Sequence, residues 1–258
     1  MKNNTSPVVD ADGHVLEPAD LWLKYIDPVF RDRAIRIDTD ENGWEVLLFD
    51  NNPAEVTRGT LGALGGIGSD AEELAAFLTP GSRSYADGCP AGSYDASARL
   101  EVMDKEGIDI SLLYPTIGIF WEGWVTDPKL AGAYAHAYNR WIIDFCSCNT
   151  KRLYPIAHIS LLDVEGAVQE VVWAKKHGCV GIFLSPDMVA RGGKHFTDPT
   201  FSRFWDTVQD LGIPVGFHVV VRDQPSWKDW ITGTGDFGLF NFTFLAIDVM
   251  AAFTQMVS

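Results

Sequence analysis

A regular alternation of short apolar segments and amphipathic segments, running from Tyr94 to Val221, most restricts what this chain can fold into. The apolar segments predict strands at residues 109–115, 154–162, 179–185 and 214–221. The segments between them carry helix-capping aspartates and helix-ending glycines, namely Asp95, Asp127, Asp163 and Asp198, with Gly107, Gly178 and Gly212. Branched apolar strands that alternate with capped helices predict a parallel sheet covered by helices.

A further strand is predicted at residues 7–15, far from the alternating region. The polar stretch between them, at about residues 20–93, contains a predicted hairpin strand at 44–49 and a glycine-rich segment at 59–68, and we interpret it as an insertion. The whole pattern gives five strand–helix units in a single domain over residues 1–258. An open doubly wound sheet and a (β/α)₈ barrel, which takes about 250 residues, both fit this α/β pattern.

Charge and composition exclude several classes of protein. The chain of 258 residues carries a net charge of −15, so it repels phosphate backbones and no nucleic-acid partner is expected. Its 4 cysteines contain no C-x-x-C pair, which predicts a reducing, cytoplasmic compartment. The apolar segment at 237–257 has Asp248 in its middle, which favours a buried helix over a membrane span. A homo-oligomer is compatible with all of this.

The motif Asp12-Gly13-His14 ends the first predicted strand. Strict alternation along a strand places four side chains on one face: Val8, Asp10, Asp12 and His14. A carboxylate and an imidazole that converge at a strand end suit a divalent metal ion. A capped turn is the alternative interpretation of the same three residues.

Two more histidines lie in predicted strands. His218 is near the end of strand 214–221, where the functional residues of α/β barrels gather, and a hydrogen-bonded core histidine is the alternative. His158, in strand 154–162, either faces the barrel interior near a metal or is a hydrogen-bonded core residue. His136 and His177 are predicted on helix surfaces, and His195 in a solvated loop.

Aromatic and basic residues follow several predicted strands. The tryptophans are Trp121 and Trp124 after the second strand and Trp227 and Trp230 after the fifth. Such clusters suit an aromatic or apolar ligand, and packing between loops explains them equally well. The arginines that suit a substrate carboxylate are Arg58, Arg83 and Arg222. The predicted substrate-binding set is His158, Trp121, Trp124, Trp227 and Arg222.

An ordered set of motifs resembles the amidohydrolase-related (amidohydrolase 2) family, of the aminocarboxymuconate-semialdehyde decarboxylase type. The matching segments are V-V-D-A-D-G-H-V-L-E-P, A-R-L-E-V-M-D-K-E-G-I-D-I-S-L-L-Y-P, Y-N-R-W, R-L-Y-P-I-A-H-I-S-L-L-D, G-C-V-G-I-F-L-S-P and D-P-T-F-S-R-F-W-D-T-V-Q-D-L-G-I-P-V-G-F-H. Their order and spacing agree from about residue 8 to residue 220, and the insertion agrees least.

This resemblance implies a distorted TIM barrel with one divalent metal ion. The family usually opens with His-x-His, and here Asp12 stands at the first position and His14 at the second, as in related decarboxylase branches that use a carboxylate there. His218 matches the histidine ligand of the fifth strand. The expected ion is zinc, with manganese or another hard divalent ion as the alternative, because Asp12 offers an oxygen ligand.

The family also places an aspartate ligand at the end of strand eight, and the chain stops before that strand. The resemblance therefore implies an incomplete barrel of about five β/α units, similar to the N-terminal part of a longer enzyme. For the same reason no catalytic residue is assigned.

Two classes of function follow from these observations. The resemblance implies a metal-dependent hydrolase or a non-oxidative decarboxylase (carboxy-lyase) that acts on a small carboxylated or aromatic molecule. The alternative is a metal-free binding or interaction protein, or an inactive fragment, on the same scaffold.

Overall fold

The computed structural model of the chain describes residues 6–66, 69–220 and 239–257. Its strands are β1 (Val9–His14), β2 (Arg36–Thr39), β3 (Glu45–Phe49), β4 (Asn52–Ala54), β5 (Ile110–Tyr114), β6 (Leu153–His158), β7 (Gly181–Leu184) and β8 (Val215–Phe217). Its α-helices are α1 (Leu21–Tyr25), α2 (Ala71–Phe77), α3 (Tyr85–Gly88), α4 (Ala96–Glu106), α5 (Pro128–Cys146), α6 (Val164–Lys176), α7 (Ser202–Leu211) and α8 (Leu239–Val257).

Five strands form one parallel sheet in the order β1-β5-β6-β7-β8. Helices α5, α6 and α7 connect the last four of them. Each strand therefore pairs in the sheet with the strand that precedes it along the chain. A doubly wound sheet would instead reverse its strand order at a switch point. The described sheet is therefore one half of a barrel wall, with the insertion after β1, and the prediction of an incomplete TIM-type barrel is confirmed.

The helices begin where the sequence predicts. The carboxylates of Asp95, Asp127 and Asp163 accept hydrogen bonds from backbone amides in the first turns of α4, α5 and α6. Gly107 ends α4 in the left-handed conformation, with φ of 73°. These local signals hold because a cap involves residues only a few positions apart.

Strand β1 contains a β-bulge that the alternation pattern does not predict. Asp10 pairs with Ser111 and Gly13 pairs with Leu113, so β1 uses one more residue than β5 over this interval. The bulge turns Asp10 to the face opposite Asp12 and His14, where its carboxylate accepts a hydrogen bond of 2.7 Å from the Ser111 hydroxyl. The prediction that Asp10 shares their face is wrong, because strict alternation fails across an extra residue.

The insertion carries the antiparallel sheet β2-β3-β4 and packs on the barrel through α5. Strand β3 confirms the predicted strand at 44–49. The Arg33 guanidinium forms ion pairs with Asp50, at 2.6 Å, and with Asp127, the cap of α5, at 2.8 Å. The Tyr134 hydroxyl, on α5, accepts a 3.0 Å hydrogen bond from the Asp50 amide. These contacts attach the insertion to the end of the sheet where α5 begins.

The prediction of a buried helix at 237–257 is wrong for the side chains described from residue 246 onward. Met250, Phe253 and Val257 of α8 are 66%, 60% and 68% exposed, while Ala252 is buried. The helix contacts the rest of the described chain through the side that carries Ala252 and Gln255, and Gln255 Oε1 accepts a hydrogen bond from the Phe196 amide at 3.3 Å. Of the helices in the described ranges, none combines the length and apolar character that crossing a bilayer requires.

Candidate metal centre

The bulged end of β1 carries the first two candidate ligands. Asp12 is exposed, with 72% of its side chain accessible, and His14 is half-buried on the inner face of the sheet. A side chain on Gly13, between them, would point to the opposite face of the sheet, where its Cβ would lie 2.3 Å from Ser111 Oγ. The glycine therefore allows the chain to approach β5 closely while its two neighbours point into the barrel.

His218 directly follows β8 and completes the cluster. Its Nε2 lies 3.0 Å from His14 Nε2 and 3.5 Å from Asp12 Oδ1, and His14 Nε2 lies 3.8 Å from the same carboxylate oxygen. One ligand atom from each of the three residues falls within 4.8 Å of the others. Two residues that are 204 positions apart in the chain thus meet, because the carboxyl ends of parallel strands gather at one edge of a sheet.

The hydrogen bonds of the two imidazoles orient their Nε2 atoms as ligands. His218 Nδ1 donates to the Val219 carbonyl at 2.8 Å, since a carbonyl oxygen only accepts. His14 Nδ1 lies 3.2 Å from the Thr116 hydroxyl. Burial and the neighbouring His218 lower the pKa of His14, which favours the neutral ring that a metal requires.

The spacing of these atoms fits a single divalent cation. Two ligand atoms bonded at about 2.0–2.2 Å to one ion are separated by about 3.0–3.4 Å, depending on its geometry. The two Nε2 atoms, at 3.0 Å, meet that spacing, and the Asp12 oxygen reaches it with a small rotation of an exposed side chain. A carboxylate oxygen with two imidazole nitrogens suits zinc or manganese.

Two residues beside the cluster gave no separate signal in the sequence. The Tyr114 ring, at the end of β5, lies 6.3 Å from the His14 ring and 5.6 Å from the His218 ring. Burial raises the pKa of Tyr114, and the nearby Asp12 carboxylate raises it further. Thr116 contacts His14 as described. Tyr114 pairs with His14 in register, so knowledge of the strand register would have placed it on the same face.

Glu17 lies just beyond the ligand motif and is fully buried. Its two carboxylate oxygens accept hydrogen bonds from three consecutive amides in the loop after β5, those of Thr116, Ile117 and Gly118. Burial raises the pKa of Glu17 to about 7, and these amide hydrogen bonds oppose the shift. These contacts make Glu17 a buried acid that holds the loop next to the candidate ligands.

His158, at the end of β6, lies on the inner face of the sheet and is fully buried. Its Nε2 is 2.7 Å from Glu122 Oε1, and its ring packs at a tilt against the Phe183 ring, with 4.5 Å between their centres. Phe183 in turn lies 5.7 Å from the His218 ring, so one aromatic side chain separates His158 from the candidate ligands. His158 therefore combines the two alternatives: it is hydrogen-bonded in the core and it faces the barrel interior.

The buried carboxylate of Glu122 was not singled out from the sequence. It lies in a short 3₁₀ turn, Trp121–Gly123, that covers His158. Arg191, from the segment after β7, is also buried, and burial lowers its pKa to about 10, while the nearby Asp187 and, to a smaller extent, Glu122 oppose that shift. The Glu122 carboxylate thus favours the charged form of the buried Arg191 guanidinium.

The two predicted tryptophans that the structure describes pack within the protein. Trp121 is buried, 5.6 Å from the Tyr134 ring and 4.8 Å from the His158 ring, and Trp124 packs 5.8 Å from Phe49. This is the loop-packing interpretation, and a role of Trp121 and Trp124 in substrate binding stays a prediction.

The remaining predicted residues divide into two groups. Arg58 pairs with Asp40 and Glu55, and Arg83 donates to the Asp87 carbonyl, so both are engaged inside the insertion. Arg222, Trp227 and Trp230 lie outside the described residues.

The surface histidines agree in part with their predictions. His195 is exposed in its loop, and His136 is partly exposed on α5, where its Nδ1 lies 2.8 Å from Glu170 Oε2.

Comparison with solved structures identifies proteins of the same architecture. An amidohydrolase from Mycobacterium avium subsp. paratuberculosis matches with a TM-score of 0.74 at 20% identity, covering 97% of this chain and 68% of that one. A dihydroxybenzoic acid decarboxylase from Polaromonas, with bound manganese and the inhibitor 2-nitroresorcinol, matches with a TM-score of 0.58 at 14% identity, covering 96% and 60%.

A third match is the 5-carboxyvanillate decarboxylase from Novosphingobium aromaticivorans, in complex with manganese and 4-hydroxy-3-methoxy-5-nitrobenzoic acid. Its TM-score is 0.54 at 15% identity, covering 90% of this chain and 55% of that one. No protein-family model matches the sequence, and comparison with curated protein sequences gives no significant match. The chain therefore has the fold of amidohydrolases and related decarboxylases and spans 55–68% of the length of these three proteins.

Proposed function

We propose that this protein is a divalent-metal-dependent enzyme that removes carbon dioxide, without oxidation, from a small aromatic carboxylic acid. The observation that carries the proposal is the convergence of Asp12, His14 and His218 at the carboxyl end of the parallel sheet. That edge is where barrels of this kind bind their substrates. The solved decarboxylases with this fold hold manganese together with nitro-substituted aromatic ligands, which supports the substrate class.

Asp12, His14 and His218 would hold the ion, and its bound charge would attract and orient the oxygen atoms of the substrate. We propose manganese as this ion, because two decarboxylases of the same fold contain it and Asp12 supplies an oxygen ligand. The expectation of zinc from the sequence stays a prediction.

The surroundings of the cluster suit an aromatic substrate. Tyr114 and Phe183 present their rings at 5.6 Å and 5.7 Å from the His218 ring. A flat aromatic acid held at the ligands would contact the partly exposed Tyr114 ring, with the fully buried Phe183 packed behind His218. Loss of carbon dioxide leaves an electron pair on the ring carbon, which then takes a proton from an acid.

Hydrolysis is the second candidate, because the match of highest TM-score among the three is an amidohydrolase. A hydrolase would use the same three ligands for a different substrate. Purified protein is therefore incubated with manganese and either a dihydroxybenzoate or an aromatic lactone. Release of carbon dioxide is the expected result, and opening of the lactone ring without it would favour hydrolysis.

Metal binding is tested separately from activity by isothermal titration calorimetry of the metal-free protein with Mn²⁺ and Zn²⁺. One Mn²⁺ per chain is expected. Asp12→Asn and His218→Ala should each weaken binding by more than about 100-fold, because loss of a residue that only hydrogen-bonds to a ligand already costs about 10- to 100-fold. Asp32→Asn and His195→Ala are matched controls, since both residues are exposed. A wild-type protein that binds neither ion would contradict the proposal and favour the metal-free binding protein.

A further inference from the structure

We propose that Glu17 is a positioning residue for the candidate metal centre. Its buried carboxylate fixes the loop after β5, and Thr116 of that loop fixes the ring of His14. The inference rests on the proposed function in one respect, that His14 is a metal ligand. The positions of the hydrogen bonds carry the rest.

The first step is the set of hydrogen bonds between the Glu17 carboxylate and the loop after β5. Glu17 Oε2 accepts from the Ile117 amide at 2.8 Å, Oε1 accepts from the Gly118 amide at 2.9 Å, and the Thr116 amide lies 3.2 Å from both oxygens. Three consecutive amides that converge on one anion form a backbone nest. Because the carboxylate is removed from water, losing these donors would be costly, and the loop is held in one conformation.

The second step is the contact between the loop and the ligand. Thr116 offers its amide to Glu17 and its hydroxyl to His14 Nδ1, at 3.2 Å. A metal ion on Nε2 would leave the ring proton on Nδ1, which would then donate to that hydroxyl, and Nε2 points at His218 and Asp12. The partner of the second ring nitrogen sets the tautomer and the orientation of a metal-ligating histidine.

The third step is the attachment of Glu17 itself. The Tyr85 hydroxyl, from the insertion, donates to the Glu17 carbonyl at 2.8 Å, and the Val15 amide donates to the Tyr114 carbonyl at 3.1 Å. Gly118 leaves no room for adjustment, because an added Cβ would lie 2.5 Å from Pro115 Cβ. Glu17 thus connects three segments around one ligand: its carboxylate holds the loop after β5 to the segment after β1, and its backbone carbonyl binds the insertion.

The test uses three variants of the full chain. Glu17→Gln replaces an acceptor oxygen with an amide that faces the same donors. Thr116→Val removes the hydroxyl and leaves the backbone nest in place, and Thr116→Ser restores the hydroxyl. Glu122→Gln is a matched control, because it alters another buried carboxylate, one that bonds to His158 and not to the Thr116–Gly118 amides.

Two measurements separate positioning from a merely structural role. Titration calorimetry should show Mn²⁺ binding weakened by roughly 10- to 100-fold in Glu17→Gln and Thr116→Val, and near wild type in Thr116→Ser and Glu122→Gln. Nitrogen NMR of the metal-free protein should show a single His14 tautomer in the wild type. Its proton should be on Nε2, which donates to His218 Nε2, while Nδ1 accepts from the Thr116 hydroxyl. In Thr116→Val the spectrum should show a mixture of the two tautomers.

The outcomes separate this inference from the proposed function. If Glu17→Gln and Thr116→Val bind Mn²⁺ within twofold of wild type and keep the His14 tautomer, the positioning role is refuted. If the wild type binds no metal, the proposed function fails, while the tautomer of His14 still decides whether Thr116 positions it. If Glu17→Gln does not fold, Thr116→Val carries the test, because it leaves all the nest donors intact.

Discussion

Gly13→Ala tests the close approach of β1 and β5 beneath the candidate ligands. An alanine Cβ at this position would lie 2.3 Å from Ser111 Oγ, 2.5 Å from Asp10 Oδ2 and 2.9 Å from Arg99 Nη2. None of these atoms is free to move away. Ser111 donates to Asp10 at 2.7 Å, and Arg99 donates to the His14 carbonyl at 2.9 Å.

The expected magnitude follows from two opposed effects. Overpacking by one methyl group costs about 1–3 kcal/mol, and each displaced hydrogen bond adds about 0.5–1.5 kcal/mol. Replacing glycine restricts the unfolded chain and stabilises the protein by only about 0.4–1 kcal/mol. We therefore expect Gly13→Ala to lower the free energy of unfolding by about 1–3 kcal/mol.

The assay is urea unfolding of the metal-free protein, with Gly132→Ala as the matched control. Gly132 is an exposed residue inside α5, and an added Cβ there meets no atom within 4 Å. The same substitution should stabilise the protein at this site by up to about 1 kcal/mol, because alanine favours the helix. If Gly13→Ala also stabilises the protein, or leaves it unchanged, the packing described beneath Asp12 and His14 is wrong.

Two further predictions concern the buried carboxyl groups of Glu122 and Glu17. Glu122→Leu should cost about 1–3 kcal/mol of unfolding free energy in urea, because it leaves the buried His158 Nε2 without its hydrogen-bond partner. The double variant Glu122→Leu/His158→Phe should cost clearly less, since it removes both polar groups; equal losses would argue against the pair. Since the pKa of Glu17 is about 7 in the folded protein and 4.5 in the reference state, the folded state binds more protons between these values. The free energy of unfolding should therefore fall by up to about 3 kcal/mol as the pH rises through that window. Glu17→Gln should remove this part of the pH dependence, and identical pH profiles for the two proteins would contradict it.

The parts of the fold that follow from local patterns could be predicted. Strand β5 and helices α4 and α5 lie within a few residues of their predicted bounds, because apolar periodicity and aspartate caps act over short distances. The convergence of Asp12, His14 and His218 could also be anticipated, since each lies near the carboxyl end of a predicted strand and these strands belong to one parallel sheet.

The remaining features depend on contacts between distant segments. The bulge in β1 reverses the direction of Asp10, and its partners Ser111 and Arg99 lie about a hundred residues further along the chain. Glu122 is recognisable as significant only when the turn that carries it is placed over His158. A single sequence contains no periodicity that reports such contacts.

The central claim is that Asp12, His14 and His218 bind one divalent cation. Anomalous X-ray diffraction at the manganese edge, from crystals of the protein grown with Mn²⁺, tests it most directly. The account predicts one anomalous peak at about 2.0–2.2 Å from the Nε2 atoms of His14 and His218 and from an oxygen of the Asp12 carboxylate. A fully ordered cluster with no peak, or a peak held by other residues, would contradict it.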